Sequence, residues 1–124
     1  MNSPKLTKKD RHLLLELPTR SLKRHEVESW IVKVLAECNH SSQDRILVWR
    51  KDPTMLHIKR ENIDRFIHLI DSLKPPTLRI ALAFPADYYN EELDQMAMKA
   101  LARGIRLEVF FDVGMAEKWL LDEQ

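Results

Sequence analysis

The amino-acid sequence predicts an α/β fold: a four-stranded, mainly parallel sheet in the order βαβαβαβα, with helices on both faces. Two observations lead there. Short apolar runs alternate with amphipathic helical patterns along the chain, and strands alternating with helices at this spacing pair in parallel. The clearest example is the last third. There residues 78–84 read as a buried strand, 91–103 as an amphipathic helix, 105–111 as a second strand and 114–121 as a short closing helix.

Taken in order, the first strand is expected at residues 12–17, where His12, Leu13, Leu14, Leu15 and Leu17 run into the stop at Pro18, with a first-turn helix as the rival reading of so short a run. Thr19, Arg20 and Ser21 make a turn. In the first helix, Val27, Trp30, Ile31, Val34, Leu35 and Cys38 share one face, and Glu26, Glu28, Lys33 and Glu37 fall on the others. Residues 39–42 end it with loop chemistry. Ile46, Leu47, Val48 and Trp49 form a continuous apolar run bounded by charges, as in a strand covered on both faces. Residues 51–54 break that run, and residues 55–58 suit a short extended piece.

The second helix covers residues 60–73 with Ile63, Phe66, Ile67 and Ile70 inward, and Pro75 and Pro76 stop it. The last strand alternates, with Ile105, Leu107, Val109 and Phe111 on one face and Arg106, Glu108 and Phe110 on the other. That is the pattern of an edge strand with one wet face. Gly104, at the end of the third helix, is placed for a left-handed cap.

At 124 residues the chain suits a basic arm, residues 1–10, ahead of one domain, residues 11–124. The formal net charge is only +1, but its distribution is uneven. Lys5, Lys8, Lys9, Arg11, Arg20, Lys23 and Arg24 face only Asp10 and Glu16 in the opening segment, whereas acids dominate from Asp87 onward. No aromatic residue interleaves the basic front, so it lacks the stacking platform of a single-strand binder and nucleic acid is not the expected partner. Cys38 has no second cysteine to pair with, which suits a reducing compartment. With no apolar leader core and no run long enough to span a bilayer, a cytoplasmic location is expected.

Candidate chemistry is sparse. Gly104 and Gly114 are the only glycines, and no glycine-rich phosphate loop is present, so no cofactor is expected. The five histidines are scattered without the i, i+4 spacing of a zinc site. Cys38, Trp30, Trp49 and Trp119 all continue apolar faces and read as core.

In parallel α/β sheets ligands sit beyond the carboxyl ends of the strands. Here that rim carries Thr19, Arg20, Asp52, Thr54, Asp87, Tyr88, Tyr89 and Asp112, which form the candidate partner-binding set. Asp52, Asp87 and Asp112 together suggest a magnesium site. However, Asp87 and Asp112 each precede a helix, where a carboxylate caps amides, and Asp52-Pro53 is a common turn pair. No metal is therefore assigned.

The stretch from Arg79 to Asp87, the Met-bearing helix after it, residues 107–112, and the Ala116-Glu117-Lys118-Trp119-Leu120 ending resemble the bacterial STAS-like proteins. The likeness is to the branch related to the sporulation anti-sigma-factor antagonist and Sec14-like domains, and it is one of pattern over residues 11–121. The resemblance implies a non-enzymatic regulatory domain that binds a protein partner through its rim. The alternatives are a small-molecule or lipid carrier and, behind it, a magnesium-dependent enzyme on the three aspartates. In the antagonists a phosphorylatable hydroxyl lies in a motif like Asp-Ser-Ser-Gly. The corresponding residues 51–56 offer only Thr54, with no serine pair and no glycine.

The resemblance also implies the strand order second, first, third, fourth, which puts the strand of Ile46, Leu47, Val48 and Trp49 at an edge. In the family an extra antiparallel N-terminal strand covers that edge. Residues 2–9 are poor strand formers by composition. The edge is therefore expected to be covered by them regardless, by residues 55–58 folding back, or by a second chain in a homodimer.

Overall fold

Successive side chains along each strand point to opposite faces, and this sorts the mostly apolar strands into two faces with separate cores. In the computed structural model, which describes residues 3–50, 59–85 and 91–122, nine elements follow one another. They are β1 (Lys5–Lys8), β2 (Leu13–Glu16), α1 (Arg24–Ser41), β3 (Arg45–Trp49), α2 (Arg60–Leu73), β4 (Arg79–Ala83), α3 (Glu91–Ala102), β5 (Arg106–Phe110) and α4 (Val113–Leu120). The α/β class and the mainly parallel sheet agree with the sequence reading. The sheet has five strands, not four, in the order β1-β2-β3-β4-β5, with β1 antiparallel to β2 and every other pair parallel.

Two expectations are corrected. The basic arm contributes a strand: Lys5 to Lys8 pair with Glu16 to Leu13, and Leu6, opposite Leu15, packs against the core. Backbone pairing along the open side of β2 supplies what composition does not. Second, the strand of Ile46, Leu47, Val48 and Trp49 is central, bonded to β2 on one side and β4 on the other. The edge on which a homodimer was expected therefore does not exist, as befits an apolar run buried on both faces. The helices lie on both faces as expected, but unequally. A sheet wound steadily in one direction with crossovers of one hand puts every connecting helix on the same face. Helices α1, α2 and α3 accordingly lie on one side, and among the described residues only α4 covers the other.

The three-helix face holds the larger core. Leu13, Ile46, Ile80 and Leu107 from the strands meet Leu35 and Cys38 of α1, Ile63, Phe66, Ile67 and Ile70 of α2, and Leu93, Met96 and Ala100 of α3. On the opposite face Leu14, Leu47, Ala81 and Ala83 meet Ala116 and Leu120 of α4, with Trp49, Phe110 and Trp119 at the margins. Small residues on β4 leave room for this single helix. The helix ends follow local chemistry. Gly104 takes φ +74° and lets the Ile105 amide return to the Ala100 carbonyl at 2.9 Å, the cap its position predicts. Cys38 is buried as expected, and burial pushes its thiol up to about 11. Phe111, placed inward by the alternation, is instead exposed. Among the described residues no helix is long and apolar enough to cross a membrane.

Candidate functional site

The parallel strands β2, β3 and β4 end together, and the first turns of α1, α2 and α3 gather over that end on the three-helix face. The gap between them is a cavity of about 150 Å³. Its floor is Leu15 and Leu17 from β2 and its end, Val48 of β3, and Leu82 and Phe84 from β4 and its end. Its walls are Val27 and Trp30 of α1, Phe66 of α2, and Leu93 and Met96 of α3. Among the described residues the lining is mostly apolar. Polar groups stand at Arg24, Lys59 and Asn62, and the Arg24 guanidinium is ion-paired to Glu28 at 3.3 Å.

Of the rim residues expected from sequence, Thr19 and Arg20 lie just past β2, both exposed. Arg20 is held: its guanidinium donates to both Glu26 carboxylate oxygens, at 3.0 and 2.7 Å, and to the Ser21 carbonyl at 3.2 Å. Glu26 also accepts from the Lys23 amide at 3.1 Å. The Arg20 hydrogen bond, followed by that amide, draws the Glu26 carboxyl down to about 2 and raises Arg20 above its ordinary value. This fork ties the β2–α1 turn to the first turn of α1 beside the cavity.

Asp112 is the N-cap of α4. Its Oδ1 accepts from the amides of Gly114 at 2.7 Å and Met115 at 3.2 Å, the capping role its position before a helix predicts. Asp52, Thr54, Asp87, Tyr88 and Tyr89 lie outside the described residues. The sequence reading thus places Arg20 and Asp112 at the same end of the sheet, each already engaged by its own helix. Among the described residues there is no cluster of three or more His, Cys, Asp or Glu side chains able to hold a metal ion.

Sequence reasoning missed Arg50. It reads as the charge that ends the apolar run of β3, yet it is 1 % exposed at the carboxyl end of the central strand. Its amide donates to the Ala83 carbonyl at 3.0 Å, and its Nη2 donates to the Arg20 carbonyl at 3.4 Å. The one available signal was position: a residue ending a strand buried on both faces is itself surrounded. Also missed was the apolar surface beside the rim on the α4 side, where Phe111 and Met115 stand exposed and a groove runs along Trp49, Phe84, Pro85 and Val113.

The carboxyl end therefore offers a partly open apolar pocket on one side of the sheet and an exposed apolar patch on the other. Among the described residues around it, Arg20 and Arg24 are ion-paired to Glu26 and Glu28. The described residues there can bind and position a ligand, but they include no nucleophile with an adjacent base. The chain matches no family model, and no curated protein matches it.

Proposed function

We propose that this domain is a non-enzymatic regulatory interaction module that binds a protein partner at the carboxyl ends of its strands, the partner inserting one apolar side chain into the cavity. Its strand order departs from the one the STAS-like resemblance implies, so the cavity and not that likeness supports the reading. The size of the cavity carries the reading. A space of about 150 Å³ holds a benzene-sized group. That suits one aromatic or branched aliphatic side chain and falls well below the roughly 300–1,000 Å³ of sites that enclose a whole drug-sized molecule. A long-chain lipid needs more room. The exposed Phe111 and Met115 extend the apolar surface beyond the pocket, as a protein footprint does. Lys59 at the mouth favours an acidic neighbour next to the anchor.

Selection of random displayed peptides on the immobilised protein tests this. Enriched peptides should share one aromatic or branched aliphatic residue beside an acid. Their binding should be lost in Met96→Trp and in Val27→Phe, which fill the cavity, while thermal unfolding stays cooperative. An absence of enriched sequences, or binders indifferent to both variants, would overturn the reading. A fatty molecule retained through purification and seen by native mass spectrometry would support the carrier alternative instead.

A further inference from the structure

The sheet has two edges, and they differ in kind. The outer strand β1 is four residues long and carries Lys5 and Lys8 at its ends, a common way of discouraging further pairing. At the other edge, nothing among the described residues pairs with the outer side of β5. The Phe110 carbonyl accepts from the Phe84 amide at 3.0 Å, so Phe110, and with it Glu108 and Arg106, directs its backbone groups toward β4. In a parallel ladder such residues alternate with ones that face the other way. The amides and carbonyls of Leu107 and Val109 accordingly face outward.

The edge is flanked by apolar side chains. Met98 and Leu101 of α3 are 70 % and 72 % exposed, and they border one open groove with Leu107 and with Trp119 of α4. The charges on the strand are uncompensated. Arg45, Arg79 and Arg106 stand side by side across β3, β4 and β5. Arg45 and Arg79 donate to carbonyls at the end of α4. Among the described residues, Arg106 and Glu108 make neither an ion pair nor a side-chain hydrogen bond, and they point to the same face of the sheet.

From this arrangement we propose that β5 is a homodimer interface: two copies pair their β5 strands antiparallel about a two-fold axis through Leu107, forming one continuous ten-stranded sheet. The register is self-complementary. With Leu107 opposite its counterpart, Arg106 of each copy faces Glu108 of the other, twice over. Leu107 and its counterpart are then the hydrogen-bonded pair, using the outward amides and carbonyls. Arg106 and Glu108 fall on the non-bonded pairs, where side chains approach most closely. The same axis brings Met98 and Leu101 of the two copies toward each other on the α3 side. This surface is separate from the carboxyl rim, so its occupancy does not depend on the rim's partner.

Light scattering on the full chain over a concentration series tests the interface through a charge-swap cycle. The wild type should dimerise reversibly. Arg106→Glu and Glu108→Arg should each raise the dissociation constant about tenfold or more, because two attractive pairs become two repulsive ones. The double swap R106E/E108R should restore dimerisation, and an equimolar mixture of the two single variants should form a one-to-one heterodimer. Circular dichroism establishes that each variant is folded. A wild type that stays monomeric at its highest attainable concentration overturns the proposal. So does a dimer that both single reversals leave intact.

Discussion

The two faces of the sheet are built from the same strands and do different work. On the three-helix face, branched and aromatic side chains meet α1, α2 and α3, and the packing opens into a cavity where the helices begin. On the other face, Ala81 and Ala83 lie beneath one short helix, and the end of that helix is held by arginines. Arg79 donates to the carbonyls of Trp119 and Asp122 at 3.2 and 2.7 Å and lies over the Trp119 ring, and Arg11 reaches the Leu121 carbonyl at 3.1 Å. Cations placed at the last carbonyls also complement the helix dipole. One face keeps a cavity, while the other is closed by small residues and directed hydrogen bonds.

The sharpest way to break that contrast is to enlarge one residue on each side. Ala81 is fully buried under α4, so Ala81→Leu should overpack the site and cost about 3 kcal/mol, the upper part of the usual range, measured by urea unfolding. Val27 borders the cavity, so Val27→Leu should be neutral or stabilising, by up to about 1 kcal/mol. Equal losses at the two positions would mean that the cavity is not spare room, and the distinction between the faces would fall.

Much of this contrast escapes sequence reading, for identifiable reasons. The inward set of α2, Ile63, Phe66, Ile67 and Ile70, was legible because a helical period is local. The wet face of β5 was legible because its alternation is local too. The order of the strands is a property of the winding, and here the apolar run of β3 was a better guide to its central place than family likeness. β1 carries Leu6 as its only apolar residue, so backbone pairing makes it a strand without marking its composition. The arginine row spans three strands by register, and the cavity arises where three helix starts diverge. Neither leaves a mark on any single segment. Asp112 was legible as a cap; Arg50 was not, because a charge at the end of an apolar run looks the same whether it is buried or wet.

Removing Arg79 tests the closed face directly. Burial lowers its affinity for a proton, with Arg106 and Arg45 acting in the same direction, but its hydrogen bonds to α4 keep it where it is. Arg79→Ala should cost about 2 kcal/mol, the scale of a hydrogen bond to a charged group, and should speed amide exchange at the end of α4. Exchange there as slow as in the wild type would show that apolar packing alone holds the helix.

His12 extends the test to pH. It is buried beside β2 on the approach to the end of α4, and neither ring nitrogen has a hydrogen-bond partner among the described residues. Burial lowers its proton affinity, Glu117 opposes that, and Lys9 adds to it. The folded state therefore binds the proton less readily than the unfolded chain, whose imidazole titrates near 6.5. Its contribution is complete above pH 6.5 and declines as the pH falls below that value. His12→Leu should flatten the stability profile across that window, as read by thermal unfolding in a pH series. A profile unchanged by the substitution would assign the pH dependence to other groups.

The smallest expected effect lies at the open face, on the Arg20–Glu26 fork beside the cavity. Because the folded carboxyl titrates near 2 against an ordinary value of 4.5, the fork's contribution is complete above pH 4.5 and is lost as the pH falls toward 2. Both side chains are in reach of water, so screening keeps the effect small. Glu26→Gln should lower stability slightly at neutral pH and should flatten the acid limb between those two values. The fork also ties the β2–α1 turn to the wall of the pocket, so the same variant should loosen that turn. Faster amide exchange confined to residues 19–26 would place the fork in the architecture of the cavity. Unchanged exchange together with an unchanged acid limb would reduce it to a surface contact, leaving the apolar walls alone to hold the pocket open.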